Sequence, residues 1–312
     1  MKAIFRKELI DNFNSIRFAI LFALVFLGAA GGLYAAQDGI RVADPPSGFI
    51  FLALYTTSGQ AVPSLVFFLN ILVPIIGITL GFDAINSERN NGTLSRIIAQ
   101  PIYRDSVING KLLAGVATLS IMVFTTLALI AGFGLRMIGV PPTTGEIIRL
   151  FIYGLITVVY GAFWMELAIM FSILFRKIAA SLLVSIFVWL FFTFFMFLIA
   201  PAIANMFAPV NQASSTAELL NNVEIQQVVM MFSPSTLYDQ AVSSLLLPVT
   251  SLSLGSIGAV VSGQTQYMLP NPLSLGQSLL AIWPHLTTLI SLTLVCFGGS
   301  YLLFMRQEVR AT

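Results

Sequence analysis

The strongest constraint on this chain is a series of long apolar stretches that carry almost no charge. The first of them, residues 18–36, has no charged residue in 19 positions. Nineteen residues of α-helix rise about 28 Å, which is close to the thickness of the hydrocarbon core of a membrane. Only 9% of the 312 residues are charged, against about 25% in soluble domains. The sequence therefore predicts an integral membrane protein.

Five more stretches have the same character, and charged or proline-containing loops separate them. The predicted spans cover residues 18–36, 62–82, 112–135, 149–175, 178–201 and 279–305. Because lipid offers no hydrogen-bond partner to the backbone, spans of this length must be helices. The predicted fold is all-α and polytopic: a single transmembrane domain over residues 1–312 with six transmembrane helices.

Residues 1–16 precede the first span and predict an interfacial elbow helix. The apolar positions recur at roughly helical spacing and the charged positions fall mostly elsewhere, which is typical of a helix lying in the lipid headgroup layer. They are Ile4, Phe5, Leu9 and Phe13 in the first set and Lys2, Arg6, Lys7 and Glu8 in the second. A plain charged anchor before the span is the alternative. No A-x-A cleavage site follows closely, which favours a retained span over a signal peptide.

The basic residues are distributed unequally between the two sides of the predicted bundle. With six spans, both termini lie on one side, and that side holds twelve of the fifteen Lys and Arg residues. Basic loops stay in the cytoplasm, so the sequence predicts cytoplasmic termini in a multi-pass protein of the cell membrane. The twelve are Lys2, Arg6, Lys7, Arg17, Arg89, Arg96, Arg104, Lys111, Arg176, Lys177, Arg306 and Arg310, and the other three are Arg41, Arg136 and Arg149.

Residues 204–278 form a large outer segment between spans five and six. It contains Glu218, Glu224 and Asp239 but no Lys or Arg. An amphipathic helix is predicted to end at Ser233-Pro234, with a second short helix beginning soon after. Within it, residues 241–263 are apolar but interrupted by proline and glycine. We expect them to be re-entrant or on the surface, because irregular backbone is tolerated where protein buries it; a seventh span is the alternative.

The segment 83–111 carries seven charges in 29 residues and lies between spans two and three. Gly92 offers a turn and Thr93 a helix N-cap. Pro101 ends the short helix because the residue before a proline disfavours helical torsions. Asp105 is then expected to cap the next helix. We call this short helix the cytoplasmic coupling helix. Its predicted apolar face consists of Leu94, Ile97 and Ile98, and Arg96 lies off that face.

Here the sequence resembles the type-2 ATP-binding-cassette (ABC) export permeases, a class of six-span half-transporters. Their pattern E…GT(L/I)…PxxR…GK after the second span is matched by Glu88, Gly92, Thr93, Leu94, Pro101, Arg104, Gly110 and Lys111. The RKEL of Arg6, Lys7, Glu8 and Leu9 before the first span is also typical. The Ser233-Pro234 pair in a large outer segment resembles the subgroup of nitrous-oxide-reductase-maturation and gliding-type permeases.

The resemblance implies an assembly in which ATP hydrolysis takes place on another subunit. Two permease subunits, a homodimer or a similar pair, would associate with two cytoplasmic ABC ATPase subunits that bind ATP and Mg. The elbow residues Phe5, Arg6, Lys7, Glu8 and Leu9 would dock on the ATPases together with the coupling residues. The latter are Glu88, Gly92, Thr93, Leu94, Arg96, Ile97, Ile98, Pro101, Arg104 and Lys111.

The chain itself shows no signature of an enzyme. It has no G-x-x-x-x-G-K-[ST] phosphate loop and no H-E-x-x-H motif. Its single histidine, His285, and its single cysteine, Cys296, exclude an intrachain disulfide and a Ser-His-Asp set of ordinary form. We expect no catalytic residue, no metal site, no bound cofactor and no nucleic-acid partner.

Glu166 is the one charged residue well inside a predicted span. Counted from Leu150, it lies near the middle of the fourth span. An unpaired carboxylate in lipid is costly, so the side chain should face the bundle or be protonated. It is a candidate for the translocation path or a gate, and a hydrogen-bonded structural residue is the alternative. Asn70 is a weaker candidate, together with Gln60 and Asn86.

Three functions therefore stay open from the sequence. The first is ATP-driven export by a permease subunit. The second is a mechanotransmission or scaffold subunit that acts on an extracytoplasmic protein through residues 204–278 without moving a solute. The third is a secondary transporter without an ATPase, in which Glu166 binds a proton or ion. A mostly apolar path favours a lipid-like or amphipathic cargo, while peptides, drugs and polymers also remain open.

Overall fold

The computed structural model describes residues 2–43, 50–57, 63–93, 103–139, 141–210, 216–246 and 274–306. All regular structure in these ranges is helical. The helices are α1 (Lys2–Asn14), α2 (Ile16–Ala43), α3 (Ile50–Thr56), α4 (Leu65–Gly81), α5 (Asn86–Asn90), α6 (Arg104–Ile138), α7 (Thr144–Leu174), α8 (Ile178–Leu190), α9 (Met196–Phe207), α10 (Thr216–Met230), α11 (Pro234–Leu246) and α12 (Leu275–Arg306). A π-helical turn, Phe191–Phe195, joins α8 to α9.

Six helical stretches among the described residues are long and apolar enough to cross a membrane. They are Ile16–Tyr34, Leu65–Asn90, Arg104–Met137, Thr144–Leu174, Ile178–Phe207 and Leu275–Arg306. The predicted all-α class with six spans is confirmed. The windows of spans two, three and four are 56%, 50% and 61% buried, whereas those of spans one, five and six are 22% buried. The middle three spans therefore form the centre of the bundle and the other three form its rim.

The third and fourth spans begin earlier than predicted. Helix α6 starts at Arg104, not 112, because its charged first turns are helical as well. Tyr103 is its N-cap, so the prediction that Asp105 caps this helix is wrong. Asp105 lies inside the first turn and accepts a hydrogen bond from the Ser106 N–H at 2.7 Å. Its negative charge there interacts favourably with the positive end of the helix dipole.

Helix α7 starts at Thr144, five residues before the predicted position, because a capping box precedes it. The Thr143 hydroxyl accepts a hydrogen bond from the Glu146 N–H, and Glu146 Oε2 accepts one from the Thr143 N–H at 2.8 Å. Two of the orphan donors at the helix N-terminus are satisfied in this way. The other carboxylate oxygen, Oε1, accepts from the N–H groups of Phe51 and Leu52 at 3.0 and 3.2 Å. One buried glutamate thus fixes both α7 and the buried short helix α3.

The central helices α4 and α7 pack with their backbones in close approach. A Cβ atom at Gly77 would overlap the carbonyl oxygen of Gly161, and one at Gly81 would overlap that of Met165. Small residues allow this approach, which is a common way for helices to associate in lipid, where the hydrophobic effect does not drive them together. The α4–α7 pair sets the position of the segment that follows α4.

Helices α10 and α11 form a hairpin that enters the bundle from one end. Asn222 of α10 donates to Asn205 of α9 and to the carbonyl of Ala208, which follows α9, and the turn after α10 reaches Phe192 of the π-helix. The helical stretch from Ala208 back to Phe192 is about 24 Å long at roughly 1.5 Å per residue, and α10 runs back along this stretch. This inserted hairpin occupies residues 216–246 of the predicted outer segment. Residues 247–263 of the predicted re-entrant stretch lie outside the described ranges.

The Ser233-Pro234 pair explains where the hairpin turns. The Ser233 hydroxyl accepts from the Thr236 N–H at 3.4 Å and donates to the Phe192 carbonyl at 2.9 Å. Serine is a favoured N-cap and proline is suited to the first helical position. A π-helix displaces the ordinary hydrogen-bond partners of its carbonyls, so a hydroxyl from the hairpin supplies a donor there. The Ser233-Pro234 pair therefore both starts α11 and attaches the beginning of α11 to the π-helix.

Different elements of the chain lie at the two ends of the bundle. One end, which we call the coupling end, carries α1, residues 82–93 and the first turns of α6. The other, which we call the hairpin end, carries α3 and the start of α7. At the hairpin end, Arg149 donates to the Leu245 carbonyl and to the Ser278 hydroxyl, which joins α7, α11 and α12. Consecutive spans alternate in direction between these two ends.

Candidate functional site

The chain leaves α4 at the coupling end through a turn that is held on α7. The Ser172 hydroxyl oxygen of α7 accepts hydrogen bonds from the N–H groups of Ile85 and Asn86, each at 3.1 Å. Both residues are fully buried. Because the first N–H groups of a helix have no intrahelical partner, this serine fixes the start of α5. The base of segment 83–111 is consequently anchored to the central helix.

Helix α5 ends in a turn that needs the Gly-Thr pair. Gly92 has φ of +65°, in the left-handed region that glycine adopts without strain. Its N–H donates to the Arg89 carbonyl at 3.2 Å. The Thr93 hydroxyl donates to the Glu88 carbonyl at 3.1 Å. The turn predicted at Gly92 is therefore present, and the hydroxyl of Thr93 closes the preceding helix.

Five of the predicted coupling residues lie outside the described ranges, so their predicted docking face stays a prediction. These residues are Leu94, Arg96, Ile97, Ile98 and Pro101. The described part of the segment resumes at Tyr103, immediately before α6. Arg104 is the first residue of that helix, and Lys111 lies two turns further along it.

Lys111 lies at the centre of an ion cluster built from three separate parts of the chain. Its Nζ atom is 2.9 Å from Glu8 Oε1 and 2.9 Å from Glu88 Oε1. Lys7 Nζ is 3.1 Å from the same Glu8 oxygen and 3.6 Å from the Glu88 oxygen. We call Lys7, Glu8, Glu88 and Lys111 the Lys111 cluster. It brings together the RKEL sequence and both halves of the coupling pattern, a contact that sequence reasoning did not predict.

The cluster is neutral overall and three of its side chains are largely enclosed. The side chains of Lys111, Glu88 and Glu8 are 7%, 11% and 17% exposed. Burial alone would raise the pKa of Glu8, but the charges and hydrogen bonds of Lys111 and Lys7 outweigh it and hold this pKa below its usual value. Burial opposes the charge of Lys7 too, yet Glu8, Glu88 and Asp11 raise its pKa. Both groups are therefore held in their charged forms.

Helix α1 lies along the first turns of α6 and meets it at three successive levels. A Cβ atom at Gly110 would be 2.8 Å from the Ile4 side chain. One turn on, Glu8 meets Lys111, and further along Asn12 donates to the Thr118 hydroxyl at 3.2 Å. Residues 4, 8 and 12 share one face of a helix. The contact face of α1 is thus mixed and packs on protein, whereas the sequence predicted an apolar face turned to lipid.

The elbow residues differ in how far they are exposed. Arg6 and Lys7 are exposed, while Phe5, Glu8 and Leu9 are partly buried. A second ion pair nearby joins Arg17 to Asp83 at 2.5 Å and links the start of α2 to the end of α4. A cleft of about 380 Å³ opens beside these groups between α1, α4 and α6. Asp11 and Thr93 are among its lining residues.

Glu166 and Asn70 lie in the seams between helices. Glu166 is 1% exposed, and neither carboxylate oxygen has a hydrogen-bond partner among the described residues. It stands eight residues before the end of α7 at Leu174, or about 12 Å along the axis at roughly 1.5 Å per residue, and so nearer the coupling end than the sequence predicted. The Asn70 Oδ1 atom accepts from the Tyr160 hydroxyl at 3.4 Å. Their role in a translocation path stays a prediction.

Sequence reasoning missed a buried network of hydroxyl groups between α7 and the hairpin. The Tyr160 and Tyr238 rings stack at 4.2 Å between centroids and 10° between planes. The Tyr238 hydroxyl lies 3.1 Å from the Thr157 hydroxyl, and the Tyr160 hydroxyl lies 3.0 Å from that of Ser235. Tyr153, Thr157 and Tyr160 recur at offsets of four and three on one face of a helix. That spacing was the available signal.

Comparison with known proteins places this helical membrane bundle in a family. The sequence model of the family described as "ABC-2 family transporter protein" matches residues 2–309. The chain therefore belongs to the ABC-2 family of transporter proteins, and the resemblance found in the sequence is confirmed. Members of this family are permease subunits of ABC transporters, which are not themselves enzymes.

One relative is the protein described as "Probable ABC transporter permease protein NosY" from Pseudomonas aeruginosa. It is 31% identical over 134 residues. The aligned residues cover 41% of this chain and 41% of that protein, so the chain matches less than half of the relative's length. This likeness is consistent with the subgroup that the Ser233-Pro234 pair indicated.

Proposed function

We propose that this chain is the permease subunit of an ABC exporter, driven by ATP that a separate cytoplasmic subunit hydrolyses. The observation that carries the proposal is the assembly of the coupling end. There α1 and both ends of the coupling segment meet in one place, through Glu8, Glu88 and Lys111. A family of ABC permeases and six candidate spans support the same function.

The proposed complex contains two copies of this chain and two ATPase subunits that bind ATP and Mg. The exposed rim formed by spans one, five and six supports pairing with a second permease, because these helices leave most of their apolar surface uncovered. Lipid covers the remainder. The coupling segment and the exposed residues of α1, Arg6 and Lys7, form the surface on which the ATPase docks.

The coupling end is proposed to face the cytoplasm. Twelve of the fifteen basic residues belong to that side, and basic loops are retained in the cytoplasm. Both termini then lie in the cytoplasm, and the hairpin end faces outward. Transport runs from the coupling end towards the hairpin end, with a lipid-like or amphipathic cargo favoured by the apolar helix surfaces.

Affinity capture of the tagged chain from detergent-solubilised membranes of its own cells tests the ATPase partnership. We expect a nucleotide-binding subunit of the ABC type in the eluate, with ATPase activity. Leu94→Asp and Ile97→Asp should each reduce its recovery at least tenfold, because a charge on the docking face opposes burial. The matched control is Leu220→Asp, the same change at an exposed position of α10, and it should retain the partner.

Two results would contradict this function. If no nucleotide-binding subunit is captured and both coupling variants retain full activity in cells, the ATPase-driven function is excluded. If the subunit binds but reconstituted vesicles of the complex move no lipid or amphipathic probe in the presence of ATP, a mechanical role on an extracytoplasmic partner replaces export.

A further inference from the structure

The Lys111 cluster consists of residues that the family resemblance assigns to the ATPase interface, yet three of its four side chains are engaged inside the permease. The Lys111 ammonium contacts two carboxylates at 2.9 Å, and its side chain is only 7% exposed. Glu88 and Glu8 are enclosed to a similar degree. These three groups therefore offer little charged surface to a docking protein. Their charges pair with one another instead.

The cluster joins the two ends of the coupling segment. Glu88 belongs to α5, which precedes residues 94–102, and Lys111 belongs to α6, which follows them. Their ion pair holds the two ends together at the base of the segment. A segment whose ends are held in this way transmits a displacement to its supports, since it cannot absorb the movement by spreading apart.

The same cluster attaches α1 to that base. Glu8 of α1 shares the Lys111 ammonium with Glu88. Packing of Ile4 on Gly110 and the Asn12–Thr118 hydrogen bond extend the attachment along α6. Helix α1 thus moves with the first turns of α6 as long as these contacts last.

We infer that Glu8, Glu88 and Lys111 form an internal clamp that transmits movement of the coupling segment to α1 and α6. These residues position the moving parts, and the ATPase docks on other residues. The inference rests on the proposed function, in which an ATPase moves the segment. It separates two groups within one sequence pattern: the residues at 94–98 receive the movement, and the clamp distributes it.

The test compares the wild-type complex with Lys111→Met, which keeps most of the side-chain volume and removes the charge. Hydrogen exchange is followed in the permease alone and in the complex with the captured ATPase, with and without ATP, Mg and vanadate. We expect the amides of α1 to exchange at least tenfold faster in the variant, while the Kd for the ATPase changes by no more than about twofold. Nucleotide should then alter exchange over 83–103 but no longer over α1.

Two further variants keep the test decisive. Lys177→Met removes an exposed lysine at the same end of the bundle and should behave as wild type. The double variant Glu8→Lys with Lys111→Glu reverses the Glu8–Lys111 pair but places a second carboxylate against Glu88, so it should protect α1 better than Glu8→Lys alone and less well than wild type. Restoration by a charge swap reports the pairing itself. If Lys111→Met is not recovered in membranes, Glu8→Gln serves in its place, since it leaves the Glu88–Lys111 pair intact.

The opposite results would overturn the clamp. One is a Kd for the ATPase weakened more than tenfold in Lys111→Met with unchanged exchange in α1, because Lys111 would then be a docking residue. Another is a variant that matches wild type in both measurements. Absence of any ATPase binding to the wild-type chain would instead defeat the proposed function. The exchange of α1 in the permease alone still decides whether the clamp holds that helix.

Discussion

Lys111 contacts two carboxylate oxygens at 2.9 Å, and its neighbours show why the cluster tolerates enclosure. Two ammonium groups balance two carboxylates, and the exposed Lys7 side chain keeps one of the positive charges in contact with water. A buried ion pair adds little net stability, but removal of one partner from a fully buried pair costs about 3–5 kcal/mol. The Lys111 cluster is therefore best understood as a device that fixes position. Its main energetic consequence appears when one member is lost.

The lowered pKa of Glu8 makes the attachment of α1 sensitive to acid. Because the folded-state pKa lies below the usual 4.5, the ionised form is favoured in the folded protein. This contribution is complete above the usual value and is lost as the pH falls through the lower folded value. We expect the mobility of a spin label at exposed Asn14, in an Asn14→Cys, Cys296→Ala chain, to rise as the pH falls from 5 towards 3.

Two variants separate the share of Glu8 in this response. Glu8→Gln should release the label partly at neutral pH, while the Glu88–Lys111 pair remains, and should remove most of the response to acid. Asp11→Asn, which removes a mostly exposed acid of the same helix, should keep the wild-type response. A label whose mobility does not rise before the bundle itself unfolds in acid would contradict the assigned role of Glu8.

Among the helical elements, the α10–α11 hairpin and the π-helix depend on each other. Ser233 is fully buried, caps α11 and donates to the carbonyl of Phe192. Ser235 lies 3.0 Å from both the Thr193 and the Tyr160 hydroxyls. The contacts that seat the hairpin tip are thus hydrogen bonds between neutral groups, which cost little to bury once they are all made.

Ser233→Ala should loosen the hairpin and destabilise the bundle. Loss of an N-cap costs about 1 kcal/mol, and a buried carbonyl without its donor costs about 1–3 kcal/mol. We therefore expect a lower thermal unfolding midpoint in detergent and faster hydrogen exchange in α11. Ser233→Thr retains the hydroxyl and should restore most of the stability.

Ser243→Ala is the matched control for this change. Ser243 lies on the same helix, is half-buried, and donates only to the nearby Gln240 carbonyl among the contacts described. It should lower the midpoint far less than Ser233→Ala does. Equal effects of the two alanine variants would show that the Ser233–Phe192 bond does not seat the hairpin.

The helices and their order could be predicted from the sequence, but the way they contact one another could not. Apolar run length decides which segments can span a membrane, and this is a local property of residues such as those at 18–36. The start of α7 was missed although Thr143 and Glu146 have capping-box spacing, because the charge at Glu146 was assigned to a loop. The capping-box spacing alone was sufficient to predict the start of this helix.

The insertion of the hairpin and the Lys111 cluster are of a different kind. The depth of the hairpin depends on contacts between Ser233 and Phe192 and between Tyr238 and Thr157, which lie 41 and 81 residues apart in the chain. The Glu8–Lys111 contact spans 103 residues. No periodicity within one segment contains such information. The coupling pattern indicated that these residues matter, while only the structure shows that Glu8, Glu88 and Lys111 contact one another.

In the molecule as a whole, both kinds of contact lie on the central helices. Helix α7 holds the coupling segment through Ser172 at one end and the hairpin through Thr157 and Tyr160 further along. A movement that starts at the coupling end can therefore reach the hairpin through one continuous helix. The proposed orientation, with the coupling end facing the cytoplasm, can be tested directly.

Cysteine labelling of intact cells and of inside-out vesicles tests that orientation. In a Cys296→Ala chain, Asn91→Cys and Asn221→Cys place one exposed thiol at the coupling end and one on α10. With a membrane-impermeant maleimide, Asn221→Cys should react in intact cells and Asn91→Cys only in inside-out vesicles, because we propose that the coupling end faces the cytoplasm, where loops rich in basic residues are retained. Labelling of both thiols after detergent lysis shows that each is reactive. The reverse pattern would place the coupling end outside and remove any access for a cytoplasmic ATPase, so this one measurement bears on the orientation and on the proposed partner together.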